Sequence, residues 1–179
     1  MKSKKCFLGS VLLLGIFLGM QTHPQSLPAV DLFTLDGERV DASSISNEGM
    51  PMILVFFKTF DNDCMDNLVE INESYREQLK QKGVKMVAVC VDCDGKKAHV
   101  KPFVYGHDLP MTVYIDLNGD LKRSLGIPDA PFTILYDQEM KVYCQYNGYC
   151  RGSGDLVCHK ITECLARMDQ PEQATIKEP

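Results

Sequence analysis

The chain has 179 residues, with 19 basic and 24 acidic side chains and a formal net charge of −5. This length predicts one domain, and the acidic balance argues against a nucleic-acid binder, which normally carries a basic face. Apolar residues make up 45% of the sequence, which is enough for a packed core and argues against wholesale disorder.

The first 26 residues have the pattern of a targeting segment. Lys2, Lys4 and Lys5 precede an apolar run from Cys6 to Met20. A helix of that length rises only about 22 Å, less than the ~30 Å hydrocarbon core of a membrane. We therefore interpret residues 1–26 as a secretory signal peptide, with an uncleaved N-terminal anchor as the alternative. The protein is expected in the periplasm, in the cell envelope or secreted, and in contact with a membrane only if the segment is uncleaved.

The chain after this segment begins with alternating strand-like and helix-like patterns. A Leu-Asp-Gly turn at 35–37 separates two short extended pieces. Met52–Phe57 and Val84–Val91 are continuous apolar runs, typical of strands buried on both faces. Between these strands apolar residues recur at helical spacing, and Gly83 can end the helix. The residues with this spacing are Leu68, Ile71, Tyr75 and Leu79.

The second half of the chain predicts further strands over 111–115, 132–136 and 141–146. One helix precedes them, and Pro102 must either start or kink it. A closing helix is predicted over 155–168, followed by a loose polar tail, 169–179. This order is an α/β layer plan with one domain over 27–168. Because sites in such sheets gather at the carboxyl ends of parallel strands, residues 58–64 and 92–95 are expected at one rim. The loop before Pro131 joins that rim only if its strand is antiparallel.

The order and spacing of four segments resemble the exported TlpA/ResA-like branch of the thioredoxin superfamily. The segments are Asp31–Gly37, Ile53–Phe60, Gly83–Asp92 and Gly126–Asp137. The resemblance implies a thioredoxin-like three-layer α/β/α sandwich with a central mixed sheet. It also implies a protein or peptide partner that carries a thiol or a disulfide. No cofactor, metal ion or nucleic acid is expected.

The active motif of this family, Trp-Cys-x-x-Cys, is degenerate here. The matching residues are Phe60, Asp61, Asn62, Asp63 and Cys64. The resemblance places Asp61 where relatives carry the attacking cysteine and Cys64 where they carry the second one. Aspartate cannot attack a disulfide, so the two-thiol shuttle is predicted to be absent from this motif.

Cys64 has two open interpretations, a buried or disulfide-bonded structural residue and a single reactive thiol. A helix start favours its thiolate, whereas the neighbouring Asp61 and Asp63 disfavour it. Cys90 and Cys93 form a second Cys-x-x-Cys at the end of a strand. We hypothesise that Cys93 pairs with Cys64 or Cys90 as a displaced redox couple. The alternative is a buried Cys90 beside a Cys93 that is exposed or structurally bonded.

Pro131 aligns with the cis-proline of the family. With Ala130 it implies an edge that holds an extended peptide through backbone hydrogen bonds, although a fold-defining turn is the alternative. Four more cysteines in the last hairpin and helix are candidates for structural disulfides. They are Cys144, Cys150, Cys158 and Cys164.

The spacing of these four cysteines constrains their pairing. Cys158 and Cys164 lie about 240° apart around a helix, so they do not face each other. A bond from Cys144 or Cys150 to Cys158 would join the hairpin to the helix. Zinc binding with His159 is the rival, but the spacings do not match a zinc pattern.

Two functions from different classes remain open. One is a thiol–disulfide oxidoreductase-like protein that uses Cys64 with a displaced partner cysteine on envelope or secreted proteins. The other is a non-catalytic binding module that kept the peptide-holding surface. A peroxiredoxin-like thiol peroxidase is a further option in the superfamily, but the spacing of Thr59 to Cys64 differs from the peroxiredoxin pattern and no activating arginine is nearby.

Overall fold

The computed structural model describes residues 26–91, 97–109 and 111–168. Apart from Ser26, the predicted signal peptide lies outside these residues, as do the predicted tail and Cys93. In the part described, no helix is both long and apolar enough to cross a membrane.

The first half of the described chain confirms the predicted order of elements. The two short extended pieces form a hairpin around Gly37, and the two apolar runs are strands joined by a helix. The elements are β1 (Asp31–Thr34), β2 (Arg39–Asp41), β3 (Met52–Phe57), α1 (Asn62–Ser74) and β4 (Lys85–Cys90).

The second half adds one element that the sequence pattern did not reveal. The elements are α2 (Lys97–Gly106), β5 (Thr112–Ile115), α3 (Asp120–Ser124), β6 (Phe132–Tyr136), β7 (Val142–Asn147) and α4 (Ser153–Met168). Pro102 lies inside α2 rather than at its start. The unpredicted α3 has only five residues, too few for an apolar period to show.

The strands form one mixed sheet of seven, in the order β2-β1-β5-β4-β3-β6-β7. β3 pairs in parallel with β4, and β4 with β5, whereas β6 runs antiparallel to β3. Every residue of β3 and β6 is buried, because these strands lie inside the sheet and helices flank it. The antiparallel β6 brings the loop before Pro131 to the rim where β3 ends, as the sequence required.

Helix α1 continues through a wider turn and a tighter turn before it ends. The wide turn is Tyr75–Leu79, the tight one is Lys80–Lys82, and Gly83 follows with φ +78°. A residue without a β-carbon adopts this left-handed conformation readily, so Gly83 ends the helix as predicted.

Helices α1 and α4 pack closely at the start of α4. A β-carbon added to Gly154 would lie 2.3 Å from the carbonyl oxygen of Glu70, so only glycine fits there. An apolar stripe of α4 faces the interior at Val157, Ile161 and Cys164, all nearly inaccessible to solvent. This packing fixes α4 against the helix that carries the candidate site.

Candidate functional site

The candidate site lies where β3 gives way to α1. Asp61 is the N-cap of α1, and its carboxylate Oδ1 accepts a hydrogen bond from the backbone N–H of Cys64 at 3.0 Å. Such a cap satisfies one of the free N–H groups of the first turn and contributes about 1 kcal/mol to helix stability. The acidic side chain therefore occupies a donor that would otherwise favour a thiolate at this helix start.

Cys64 is the third residue of α1, and none of its surface is accessible to solvent. Burial raises the pKa of its thiol to about 12; a backbone hydrogen bond from Lys58 opposes this shift, and the charge of Asp61 adds to it. At pH 7 only on the order of 10⁻⁵ of such a group is thiolate. The structure therefore gives Cys64 the environment of a buried, protonated thiol.

An ion pair crosses the rim from β3 to the loop before Pro131. Lys58 Nζ lies 2.6 Å from Asp129 Oδ1, and Lys122 Nζ lies 3.5 Å from the same oxygen. The hydrogen bond from Lys58 lowers the pKa of Asp129, and the same bond raises the pKa of Lys58. No local sequence signal reveals this pair, because its partners meet only once β6 is placed antiparallel to β3.

The proline loop has one feature that the resemblance implied, a cis-proline. The Ala130–Pro131 peptide bond is cis. The backbone N–H of Ala130 donates to Asp129 Oδ1 at 2.9 Å, and the carbonyl oxygen of Pro131 accepts from Gly148 N–H at 2.9 Å. The N–H of the predicted peptide edge is therefore already bonded within the protein.

Phe60 presents an aromatic surface at the same rim. Its side chain is 62% exposed, and its ring contacts His99 of α2 edge-on, with the centroids 5.4 Å apart. Asp61 and Asn62 follow directly at the start of α1. The degenerate motif and the proline loop thus lie at one edge of the sheet.

The second Cys-x-x-Cys is only partly within the described residues. Cys90 is fully buried in β4 beside Phe57 of β3, which confirms its predicted packing in the core. Cys93 lies outside the described residues, so its pairing with Cys64 or Cys90 stays a prediction. Cys64 is a buried free thiol.

The four C-terminal cysteines are also free thiols in the structure. Cys150 is exposed in the loop before α4, and Cys158 is buried against α1, where the Ser74 hydroxyl hydrogen-bonds its sulfur. Their disulfide pairing stays a prediction. His159, considered as a zinc ligand, instead lies 3.0 Å from the Glu163 carboxylate. No cluster of three or more metal-binding side chains occurs within the described ranges.

Comparison with known proteins identifies the family. A model of the AhpC/TSA family matches residues 24–153. The chain belongs to the AhpC/TSA family. The thiol-disulfide oxidoreductase ResA of Bacillus thuringiensis subsp. konkukian (strain 97-27) is 30% identical over 114 residues, which are 64% of this chain and 63% of that protein. The match thus spans slightly less than two thirds of the length of this ResA.

Solved structures confirm the fold of this AhpC/TSA family member. An uncharacterized thioredoxin-like protein from Porphyromonas gingivalis aligns with a TM-score of 0.68 and 32% identity, over 79% of this chain and 92% of that one. A thiol:disulfide interchange protein of the thioredoxin family from Chlorobium tepidum TLS aligns with a TM-score of 0.63 and 20% identity, over 79% and 97%. The predicted thioredoxin-like α/β/α fold with a mixed sheet and the resemblance to ResA-like proteins are therefore confirmed.

Proposed function

We propose that this chain is an exported, thiol–disulfide oxidoreductase-like protein that binds protein or peptide partners at the rim and has lost the two-thiol shuttle of its motif. The observation that carries the proposal is the position of Asp61, whose carboxylate caps α1 at the N–H of Cys64. The name of the similar ResA supports a thiol or disulfide partner. The basic and apolar start of the sequence supports export.

The chemistry of exchange explains why the shuttle is lost. A thiolate attacks one sulfur of a disulfide, a mixed disulfide forms, and a second thiolate then attacks that bond and releases the reduced partner. Asp61 has no sulfur for the first attack. Cys64, buried and with its pKa raised to about 12, is a poor substitute at neutral pH.

Partner binding at the rim is supported by the proline loop and by Phe60. An extended peptide can add to a strand edge through backbone hydrogen bonds, while its side chains contact neighbouring pockets. The N–H of Ala130 is the natural donor, but it is bonded to Asp129. A partner carbonyl would therefore replace the carboxylate of Asp129, and Phe60 would supply apolar contact beside it.

A second candidate is an oxidoreductase in which Cys64 works with Cys93. It is favoured by the position of Lys58, whose backbone hydrogen bond and charge both lower the pKa of Cys64, whereas burial outweighs them and leaves that pKa raised to about 12. A thiol peroxidase has less support, because it needs a thiolate at neutral pH and burial opposes one at Cys64.

Activity and binding assays separate the two candidates. Mature wild type, Cys64→Ser and Cys93→Ser are tested for reduction of insulin with dithiothreitol, and for binding of a labelled, alkylated insulin B chain. We expect no turnover above background and equal binding by all three proteins, as a non-catalytic binding module requires. Turnover that disappears in either variant would establish the displaced couple instead.

Export requires a separate experiment. Residues 1–26 are fused to alkaline phosphatase, an enzyme that becomes active only outside the cytoplasm, and expressed in a bacterium. We expect phosphatase activity, and the N-terminal sequence of the product shows whether the segment is cleaved. A fusion without activity would contradict export.

A further inference from the structure

A second group of reactive and titratable side chains lies away from the rim, between β7 and α4. The Tyr143 hydroxyl donates to Glu163 Oε2 at 3.4 Å, and the Arg167 guanidinium lies 5.3 Å from the centre of the Tyr143 ring. Residues 160, 163, 164 and 167 form one stripe of α4, because they are three or four positions apart. That stripe therefore faces β7, and we call this contact the β7–α4 seam.

An irregularity in β7 lies directly beside Cys144. Leu135 of β6 pairs with Cys144 and Tyr136 pairs with Val142, so Tyr143 is an extra residue without a partner across the strands. Such a bulge interrupts the alternation of side chains and re-aims them. The Cys144 thiol is half-buried and donates to the Tyr146 hydroxyl at 3.6 Å.

The charges around Cys144 come from the same stripe of α4. Burial raises the pKa of the Cys144 thiol, while the charge of Lys160 lowers it and that of Glu163 raises it. Cys144 lies next to Tyr143, whose ring and hydroxyl contact the stripe directly.

Cys164 lies on the stripe and is only 3% exposed. Burial raises the pKa of its thiol, and the charges of Asp137 and of an ionised Cys144 add to that shift, whereas the charge of Arg167 opposes it. Cys158 differs, because it faces α1 and is hydrogen-bonded by Ser74. Cys158 and Cys164 are six positions apart and therefore lie about 240° from each other around the helix, so only Cys164 is on the stripe that faces β7.

We propose that Cys144 and Cys164 are the reduced form of a reversible disulfide that joins the edge strand β7 to α4. Oxidation removes one proton and one electron from each thiol and forms one S–S bond. The two electrons reduce an external disulfide, which is released as two thiols. Cys144, the more accessible of the two, attacks first and forms a mixed disulfide, and Cys164 then displaces the external thiol.

This redox site is independent of the proposed role of the rim. It uses neither Cys64 nor Asp61, and it changes the pairing expected from the sequence, in which Cys158 was the partner. The bond requires the two Cα atoms to come within about 4.4–6.8 Å. Its formation under a mild oxidant is therefore a strict test of the seam.

Trypsin distinguishes the possible pairings directly. Cleavage after lysine and arginine yields peptide 142–151 with Cys144 and Cys150, peptide 152–160 with Cys158, and peptide 161–167 with Cys164. The full mature chain is treated with oxidised glutathione, its free thiols are alkylated, and the peptides are mapped without reduction. We expect peptide 142–151 linked to 161–167, with Cys150 alkylated.

Matched variants complete the test. The linked peptide should disappear in Cys164→Ser and persist in Cys158→Ser and Cys150→Ser, and reduction with dithiothreitol should restore alkylation at Cys144. A bond from Cys144 to another cysteine, or alkylation of both Cys144 and Cys164 after oxidation, would overturn the proposal. If Cys164→Ser does not fold, the wild-type map alone decides between these outcomes.

Discussion

The starts of α1 and α4 are both capped by a carboxylate, but the carboxylate comes from a different part of the chain in each case. Asp61 caps α1 from the adjacent position, whereas Glu70, 82 positions away from Gly152, reaches across from α1 to the start of α4. Its carboxylate accepts from the Tyr149 hydroxyl at 2.8 Å and from the Gly152 N–H at 2.9 Å. In both places a carboxylate accepts a hydrogen bond from a backbone N–H at the start of the helix.

A buried cysteine follows each of these capped starts. Burial raises the pKa of Cys64 to about 12 and that of Cys158 to about 11. A helix start can lower the pKa of a cysteine, but a carboxylate at its N–H groups and the removal of solvent act the other way. Cys158 is the sixth residue of α4 and lies beyond its first turn, so it is Cys64 that shows that a helix start alone does not make a cysteine reactive.

The largest expected effect is a gain of activity in Asp61→Cys. The introduced sulfur lies at an accessible helix start, where thiol pKa values near 7 are common, and Cys64 can then act as the second thiol. Thiolate becomes about 10⁵-fold more abundant than at Cys64, and the lower nucleophilicity of the weaker base removes about half of that on a logarithmic scale. We expect insulin reduction above the background at which wild type stays, at about 10²-fold the rate that attack by Cys64 alone would support.

Asp61→Ser is the matched control for this gain, because serine caps a helix but has no sulfur. It should show no turnover above wild type. If Asp61→Cys folds and also shows none, the assignment of Asp61 to the position of the attacking cysteine is wrong.

The next largest effect is expected at the other helix start. Replacing Glu70 with Gln removes the charge that accepts hydrogen bonds from Tyr149, Gly152 and Ser153. Loss of charged hydrogen bonds at a helix start should lower the free energy of unfolding by about 1–2 kcal/mol. Denaturation in urea measures this, with Glu73→Gln on the same helix as the control. Equal losses in both variants would refute a specific cap.

The same cap should give a characteristic pH dependence. Burial opposes ionisation of Glu70, but hydrogen bonds from Tyr149 and the start of α4 outweigh it and lower its pKa. A carboxyl group whose pKa is lowered in the folded state stabilises the protein when the pH is above the ordinary pKa of that group. This stabilisation is lost as the pH falls through the folded-state pKa. The stability difference between wild type and Glu70→Gln should therefore be constant near neutral pH and shrink below about pH 4.5. Urea titrations at several pH values measure this difference. A difference that stays constant below about pH 4.5 would contradict this account.

The contrast between the two caps also explains what the sequence could predict. The continuous apolar run of β3, the αL residue Gly83 and the Asp61 cap are local signals, and all three follow from neighbouring residues. The bonds of Glu70 and the pair of Lys58 with Asp129 join positions far apart in the chain, so they depend on the packing of α1 on α4 and of β6 on β3. Helix α3 was missed because five residues show no period.

The reactivity of Cys64 and Cys158 provides a test with a smaller expected effect. Burial raises the pKa of both thiols and raises that of Cys64 further, so we expect more thiolate at Cys158 than at Cys64 at any pH well below both values. The measurement is iodoacetamide labelling by mass spectrometry between about pH 8 and 10, expressed as the ratio of labelling at Cys158 to labelling at Cys64.

Two substitutions should move this labelling ratio in opposite directions. Asp61→Asn keeps a capping oxygen and removes a charge that raises the pKa of Cys64, so the ratio should fall. Asp155→Asn removes a charge that raises the pKa of Cys158, so the ratio should rise. A ratio that moves the same way in both variants would mean that local opening, and not charge, controls the reactivity.

The smallest expected effect concerns the Asp129 carboxylate in the loop before Pro131. Asp129 holds Lys58 and the N–H of Ala130 together, so a bound peptide must displace its carboxylate. Asp129→Ala should therefore bind the labelled insulin B chain about two- to fivefold more tightly, in keeping with the modest strength of exposed ion pairs. Asp36→Ala is the control, because it breaks a 2.6 Å pair with Lys101 outside the rim. Fluorescence anisotropy measures both variants, and tighter binding by neither or by both would mean that the Ala130 N–H is not the donor for the peptide.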